Sequence, residues 1–449
     1  MNYPIVTLLL VCIRWKNIVT NHPSLRSNIQ FAWDKNILRQ REITYSYDYD
    51  TVPPYDLVVV CTTPKQLSRA IESLNGALFS ITFWNFIVPE GHDLSSWDCV
   101  PWHTFSERCT GIYIQNQSGD HTIFDNLPDL LNMKTVYCLS SISTTARGIL
   151  QKILKGTSSP LISLSAGSLD TLDVGLFPHL IANLRNLDTI YSATRFTKEQ
   201  TRRLVASFRD LEHLTWRGEQ DDEELREAAK WRCQLKTLTT SRIVCSIFPL
   251  SILRGLVELT IECQTSSMEA HERALEGDII SFPQLTHLTL IGFWTDLLHI
   301  DAPSLHKLVL EARKLAPRSD LCREYYVKTR LRPPAVHLVD PVQGLILESL
   351  LRGPFSAVIE LQIHVPALWV MAGGLKRFLS GAKTRKKKPQ PPPAPPVPTL
   401  RYLIVAVYHF GPDMRRSEVE GAVEDATRSR VEQGELLSVR CLGQDVRFM

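Results

Sequence analysis

The stretch "LTHLTLIGFWTDLLHIDAPSLHKLVL", from Leu285 to Leu310, contains one short pattern twice. An apolar residue is followed by two other residues, a second apolar residue, one other residue and a third apolar residue, in "LTHLTL" and again in "LHKLVL". The two copies start 20 residues apart. Recurrence of such a unit at a short, near-constant period indicates a repeat protein, in which each unit supplies one strand and a return arm.

The same pattern runs through most of the 449 residues. From Leu187 to Leu305, successive copies start 24, 24, 21, 29 and 20 residues apart. A single copy is expected by chance in any apolar α/β protein, so the prediction depends on their number and spacing. The copies are "YDLVVV" from Tyr55, "LFSITF" from Leu78, "CTGIYI" from Cys109, "MKTVYC" from Met133, "LISLSA" from Leu161, "LDTIYS" from Leu187, "LEHLTW" from Leu211, "LKTLTT" from Leu235, "LVELTI" from Leu256, "LTHLTL" from Leu285, "LHKLVL" from Leu305, "VIELQI" from Val358 and "LRYLIV" from Leu400.

Segments between the copies show helical spacing, in "SRAIESLNG", "EELREAAKWRCQ" and "MEAHERALEG", with Gly76 and Gly277 placed as helix stops. Strands that alternate with helices indicate a parallel sheet. We therefore predict an α/β fold: an irregular leucine-rich-repeat solenoid over residues 31–375, with the sheet on the concave face and helices or irregular arms on the convex face. Residues 376–398 are predicted to be a basic, proline-rich linker or insertion, and residues 399–449 the last repeat and a C-terminal cap.

Composition limits the partner classes and the compartment. The net charge is +3, and seven basic residues are concentrated in Lys376–Lys388 instead of being spread over a face, so we expect no nucleic-acid partner. The ten cysteines show no paired short spacing, which favours a reducing compartment. The apolar run Pro4–Ile13 is too short to span a bilayer and lacks signal-peptide flanks. We expect a cytoplasmic or nuclear protein with no membrane partner.

The N-terminal segment resembles the C-terminal half of an F-box, as found in large fungal F-box protein families. In that family a Val-Cys pair, a basic residue, a tryptophan, an isoleucine, a Pro-x-Leu-Trp and a closing isoleucine recur. The second tryptophan is Arg26 here, and the Leu-Pro opening of the motif would precede Leu8, so residues 1–30 are predicted to be a partial F-box-like helical segment. The matching residues are Val11, Cys12, Arg14, Trp15, Ile18, Pro23, Leu25 and Ile29.

This resemblance implies an adaptor role. In such proteins the F-box docks on the Skp adaptor of a cullin-RING ubiquitin ligase, and the repeats hold a protein substrate. By resemblance, Val11, Trp15 and Ile18 would contact the adaptor. The resemblance therefore implies the substrate-recognition subunit of an SCF-type ligase. A leucine-rich-repeat scaffold with no ligase role is the alternative, and an α/β enzyme without a recognisable motif is a third.

Strand periodicity also predicts which residues would face a partner. Because side chains alternate across a strand, the third and fifth residues of each copy project onto the concave sheet face. The frequent threonines also fit a plain preference of β-branched residues for strands. The candidate partner residues are His213, Thr215, Thr237, Thr239, Glu258, Thr260, His287, Thr289 and Lys307.

Motifs for chemistry are missing from the sequence. It has no GxSxG elbow, HExxH motif, EF-hand loop or dinucleotide fingerprint, so we predict no catalytic residue, no cofactor and no enzyme activity. His92, Cys99, His103 and Cys109 are separated by 7, 4 and 6 residues, spacings that match no standard zinc site. "KTRKKKPQPPPAPPVP", from Lys383 to Pro398, is interpreted as a solvated tether, with a nuclear import signal or a ligand of polyproline-binding domains as alternatives.

Overall fold

The computed structural model divides into two compact units. The N-terminal unit comprises residues 1–218 and 228–234, and the C-terminal unit residues 219–227 and 235–449. The structure describes residues 28–32, 58–84, 94–115, 127–138, 144–166, 178–189, 206–216, 231–240, 250–262, 279–292, 300–311, 329–339, 355–380, 399–408 and 415–443.

The described part of the N-terminal unit has one sheet in which all eight strands run parallel. Its strands are β1 Asn28–Phe31, β2 Val58–Cys61, β3 Phe79–Trp84, β4 Cys109–Gln115, β5 Thr135–Cys138, β6 Ser163–Ala166, β7 Asn186–Thr189 and β8 His213–Trp216. Its helices are α1 Pro64–Ser73, α2 Trp102–Arg108, α3 Thr144–Gly156 and α4 Pro178–Ile181, with a 3₁₀ turn at Leu94–Cys99.

The described part of the C-terminal unit likewise has eight parallel strands in its main sheet, with a separate two-stranded parallel sheet, β11 with β13. Its strands are β9 Thr237–Thr240, β10 Glu258–Glu262, β11 Ile280–Ser281, β12 His287–Ile291, β13 Ile300–Asp301, β14 Lys307–Glu311, β15 Ala335–Val339, β16 Glu360–Pro366, β17 Tyr402–Tyr408 and β18 Ser438–Gly443. Its helices are α5 Leu250–Leu253, α6 Ala367–Met371, α7 Gly374–Ser380 and α8 Arg416–Glu432.

The apolar triplets explain why these segments pair. In "LVELTI", Leu256, Leu259 and Ile261 are 0%, 1% and 1% exposed, so all three positions of the pattern face the core. Equivalent positions pair between strands, since Leu259 lies opposite Leu288 in the register of β10 and β12. Stacking of like residues gives each unit a continuous apolar layer. Burial of this layer stabilises the fold by about 25 cal/mol per Å² of apolar surface removed from water. The predicted α/β class with a large parallel sheet is confirmed.

Strand β1 corrects the N-terminal boundary. The predicted helical segment 1–30 ends in a strand from Asn28, with Ile29 and Phe31 fully buried. This strand lies between β2 and β3, so the copies from Tyr55 and Leu78 are not direct neighbours, as a simple array requires. The physical reason is local alternation, because Asn28 and Gln30 are polar while the residues beside them are apolar.

Two of the predicted copies were assigned a wrong frame, and a third, "LFSITF", departs from the pattern only at its first position, since Ile81 and Phe83 are buried as predicted. In "YDLVVV", Val60 is 50% exposed and Cys61 is buried, so the inward positions lie one residue later. In "LFSITF", Leu78 is 49% exposed and Phe79 is buried, because the β3–β4 register shifts after Phe79. In "LDTIYS", Leu187 pairs with Leu214, which makes it the second apolar residue of a copy that starts at Leu184.

Two strands in the main sheet of the C-terminal unit were not predicted, nor were the short strands β11 and β13. Strand β15 has Pro333 at the first position of the pattern, followed by the buried Val336 and Leu338. Strand β18 pairs with β17, so the copy from Leu400 is not the last rung, and helix α8 connects the two strands. The predicted linker 376–398 begins too early, because helix α7 extends to Ser380; residues 381–398 lie outside the described part of the chain.

Helix α1 confirms the helix predicted in "SRAIESLNG". The Thr63 hydroxyl caps its N-terminus by accepting the Gln66 amide N–H at 3.2 Å, and Pro64 occupies the first turn. Gly76, with φ of 92°, follows its C-terminus, where a left-handed conformation favours glycine. "MEAHERALEG" and most of "EELREAAKWRCQ" lie outside the described residues.

Candidate partner-binding faces

Each unit has a sheet face opposite its buried apolar residues, which we call its outward face. In the C-terminal unit, strand register aligns outward side chains in two rows that run across the strands. Successive members of a row lie on neighbouring strands, about 4.8 Å apart. The first row is Thr237, Glu258, His287, Lys307, Ala335, Glu360, Tyr402 and Ser438. The second row is Thr239, Thr260, Thr289, Val309, His337, Gln362, Ile404 and Arg440.

The seven candidate residues of the C-terminal unit all lie in these rows. Thr237, Glu258, His287 and Lys307 are successive members of the first row, and three threonines begin the second. His213 and Thr215 lie on β8, in the N-terminal unit. The His213 side chain is 47% exposed, with its Nε2 4.0 Å from a carboxylate oxygen of Glu212. Val11, Trp15 and Ile18 lie outside the described residues.

A cluster of ionisable residues on β14, β15 and β16 was not predicted as a site, because β15 was missed. His337 Nε2 lies 3.3 Å from Glu360 Oε1, and His364 Nε2 lies 3.1 Å from Gln362 Nε2. Burial lowers the pKa of His337; Lys307 lowers it further, and Glu360 opposes both. Burial also lowers the pKa of His364, helped by the nearby His337. Both imidazoles are therefore biased towards the neutral form.

The N-terminal unit has a different outward face. Its second row includes an aromatic pair, Tyr113 and Tyr137, with ring centroids 5.8 Å apart and planes inclined by 43°. Burial raises the pKa of Tyr113, so its hydroxyl keeps the proton it can donate. The first row is Asn28, Ser80, Gly111, Thr135, Ser163, Asn186 and His213, and the second is Val60, Gln30, Thr82, Tyr113, Tyr137, Ser165, Asp188 and Thr215.

The tyrosine pair was missed although its signal is in the sequence. "CTGIYI" and "MKTVYC" both have tyrosine at the fifth position, which the repeat pattern predicts to face outward. The predicted outward residues belong to the copies from Leu211 to Leu305, which do not include these two. Contact between the rings also depends on strand pairing, which places Tyr113 directly opposite Tyr137.

Burial makes three of the described cysteine thiols unreactive. Burial raises the pKa of Cys61 to about 11 and that of Cys233 to about 11, and it raises the pKa of the fully buried Cys109 still further. Since the thiolate is the reactive and metal-binding form, these sulfurs are poor nucleophiles. Cys99 is exposed and lies 3.1 Å from the Ser96 carbonyl, to which its thiol donates.

The described part of the chain contains neither a group of metal ligands nor a helix that could cross a membrane. No three His, Cys, Asp or Glu side chains there are grouped to hold a metal ion; His92 of the rejected zinc set lies outside it. No helix there is both long and apolar enough to cross a bilayer. Compared with models of known protein families, the chain matches none, and a search of curated proteins finds no relative.

Proposed function

We propose that the chain is a leucine-rich-repeat solenoid that acts as a protein-interaction adaptor, in the cytoplasm or nucleus. The main observation is the unbroken register of outward side chains, most of them polar, over eight strands of the C-terminal unit, from Thr237 to Ser438. A regular polar sheet surface on a rigid apolar layer offers closely spaced hydrogen-bonding and charged groups to a large partner. Glu258, Lys307 and Glu360 give it charges of both signs, suited to a protein surface.

The adaptor role within an SCF-type ligase is the more specific part of the proposal. It rests on the resemblance of residues 1–30 to an F-box, in which Trp15 would contact the Skp adaptor. A ligase adaptor needs no catalytic group of its own. Burial is the first cause of the raised thiol pKa values of Cys61 and Cys233 and of the lowered pKa values of two histidines. These shifts are therefore explained by packing and do not require a catalytic site.

Binding of purified Skp adaptor to the full chain tests the ligase role. We expect binding that Trp15→Ala weakens at least about tenfold, because a buried aromatic anchor commonly contributes more than 1.4 kcal/mol. Tyr402→Ala, which removes a tyrosine that is 43% exposed in the C-terminal unit, is the matched control and should bind as the wild type does. Wild-type protein that fails to bind would leave the scaffold without a ligase role.

The partner face needs a separate test. Charge reversals Glu258→Lys and Lys307→Glu change two residues of the first row, while Lys65→Glu changes an exposed residue of helix α1. Proteins cross-linked to the full chain in cells would be compared by quantitative mass spectrometry. The proposal expects a partner that is retained by Lys65→Glu and lost with both reversals; equal recovery from all three variants would exclude this face.

A further inference from the structure

Tyr113 and Tyr137 form an aromatic wall on the outward face of the N-terminal unit. Both rings are half-buried and lie on neighbouring strands, β4 and β5. Beside them the first row consists of small polar residues and a glycine, Ser80, Gly111, Thr135 and Ser163. A wall of two large rings next to a row of small side chains makes a shallow trough that runs across the strands.

Gly111 allows the Tyr113 ring to lie close over β4, at one end of this trough. A Cβ atom at this position would lie 3.1 Å from Ser80 Cβ and 3.2 Å from Tyr113 Cε2, closer than ordinary contacts. The Tyr113 ring therefore leans over its own strand, above Gly111, instead of standing away from the sheet. An aromatic ring that covers a strand glycine also stabilises a sheet, and that explains Tyr113 by itself. This effect does not explain Tyr137, because the residue two positions before it on the same strand is Thr135 and not a glycine.

Charge distinguishes this face from that of the C-terminal unit. Among the described residues of its two rows, Asp188 is the single carboxylate, and its Oδ2 accepts the Ser165 hydroxyl at 3.3 Å. These rows contain no lysine or arginine; Lys134 and Arg185 lie just before β5 and β7, outside them. A charged ligand finds little complementarity here. A neutral ligand with apolar rings and free carbonyl groups finds aromatic rings and hydroxyl or amide donors.

The spacing of the strands fits one such ligand. Tyr137 and Asp188 are two strands apart, a separation of about 9.6 Å at a spacing of about 4.8 Å. A polyproline II helix has three residues per turn and rises about 3.1 Å per residue, so residues on one side recur every ~9.3 Å. A proline packed against Tyr137 thus places the third residue after it beside Asp188 and Asn186.

We propose that the tyrosine trough, formed by Tyr113, Tyr137, Gly111, Thr135, Ser163 and Asn186, binds an uncharged proline-rich segment of a partner protein in the polyproline II conformation. Prolines pack against the two rings, as in other aromatic grooves for this conformation. Thr135, Ser163 and Asn186 donate to the backbone carbonyls, which a polyproline II helix leaves without internal partners. The inference rests on the proposed adaptor function and names the partner class for the N-terminal unit.

Fluorescence anisotropy with a synthetic peptide tests the trough directly. The probe is a fluorescein-labelled peptide of four Pro-Pro-Ala repeats, titrated with the full chain. The titration is repeated on a chain with Pro391, Pro392 and Pro393 replaced by serine, so that the chain's own proline-rich segment cannot compete. A peptide of Gly-Ser-Ala repeats controls for conformation, because it has no preformed polyproline II structure.

Variants at Tyr137 and Gly111 distinguish the contribution of an aromatic ring to probe binding from that of the strand glycine. Tyr137→Ala should weaken probe binding at least about fivefold, since truncation of an aromatic anchor of an interface commonly costs more than about 1 kcal/mol. Gly111→Val, which keeps both tyrosines but displaces the Tyr113 ring from its place over β4, should weaken it as well. Leu368→Ala, which removes an exposed apolar side chain from helix α6 outside both outward faces, should bind within about twofold of wild type. Each variant is first shown to melt as a folded protein by circular dichroism.

Three results would overturn the proposal. One is no probe binding at ~1 mM chain, the weak limit of specific recognition; another is equal binding of the probe by Tyr137→Ala. The third is Tyr137-dependent binding of a chitin hexasaccharide in place of the peptide, which would make the trough a sugar site. The Skp adaptor assay is independent of these readouts, because it depends on Trp15, so failure of the trough and failure of the ligase role are distinguishable.

Discussion

The two units have the same inward face and different outward faces. Inward, both stack aliphatic residues in register, such as Ile81 against Ile112 and Leu288 against Leu308. Outward, the N-terminal unit has hydroxyls, amides and a tyrosine pair, whereas the C-terminal unit has carboxylates, cations and three histidines. The repeat fixes the inward residues because every strand must bury them, and it leaves the outward residues free to differ between binding surfaces.

The largest expected effect tests the shared inward face. Ile112 and Leu288 are both 0% exposed, so Ile112→Ala and Leu288→Ala should each lower the free energy of unfolding by about 2–5 kcal/mol. Urea unfolding followed by circular dichroism measures both. Thr289→Ala, one residue away on the outward side, should cost less than about 1 kcal/mol. A threonine variant as unstable as its leucine neighbour would show that the two faces are assigned the wrong way round.

Each unit has one glycine under an aromatic ring, which gives a second comparison. A Cβ atom at Gly374 would overlap the Trp369 ring, while one at Gly111 would lie 3.2 Å from Tyr113 Cε2. Gly374→Ala should therefore cost about 1–3 kcal/mol of unfolding free energy by overpacking. Gly111→Ala should cost less, because the half-buried Tyr113 ring can move outward. Melting temperatures of the two variants check the order, and the reverse order would contradict this account of the contacts.

The histidines should make stability depend on pH. Burial lowers the pKa of His337 and of His364 below the ordinary value of 6.5, so the folded state binds fewer protons than the unfolded state as the pH falls below that value. Unfolding free energy should thus decrease between pH 7 and pH 5, by at most about 1.4 kcal/mol per pH unit for each histidine.

Urea titrations at each pH measure this slope. His337→Gln should reduce it, because its neutral side chain does not titrate. Tyr137→Phe is the control in the other unit and should leave it unchanged. The charged groups that act on His337 are Lys307 on β14 and Glu360 on β16, and His337 in turn acts on His364. A slope unaltered by His337→Gln would show that other groups cause the pH dependence.

The smallest expected effect concerns Lys307. Since this cation lowers the pKa of His337, Lys307→Met should raise it, which ¹H–¹³C NMR titration of the histidine ring can follow. Unfolding free energy should change by less than about 0.5 kcal/mol, as for most substitutions on a sheet surface. The matched change Lys65→Met, on helix α1, should leave the His337 titration where it is. A His337 pKa that falls in Lys307→Met would refute the electrostatic interpretation.

Much of the sheet could be predicted because burial repeats along the chain. Every complete apolar triplet from Leu211 to Leu305 coincides with a strand whose three pattern positions are buried or paired inward. Errors occurred where another constraint replaced an apolar residue. Pro333 stands at the first position of the β15 copy, and a register shift moves the buried residue from Leu78 to Phe79.

Features of the outward faces were harder to predict. The contact of Tyr113 with Tyr137 requires the register of two strands and the room left by Gly111, neither of which a single copy of the pattern contains. His337 meets Lys307 and Glu360 only when β15 is recognised as a strand between β14 and β16. Outward residues are under no common burial constraint, so their periodicity is weak and their contacts depend on the assembled fold.

The place of β1 between β2 and β3 has a consequence for synthesis on the ribosome. When β1, the first of the described strands, is synthesised, both of its neighbours are still to be made, so Asn28–Phe31 must wait until Phe79–Trp84 has left the exit tunnel before its sheet position is complete. Its pairing is therefore one of high contact order, and such closures are slow. A clone that starts after Ala32 would leave a slot one strand wide, which a synthetic peptide with the sequence of β1 could fill in trans.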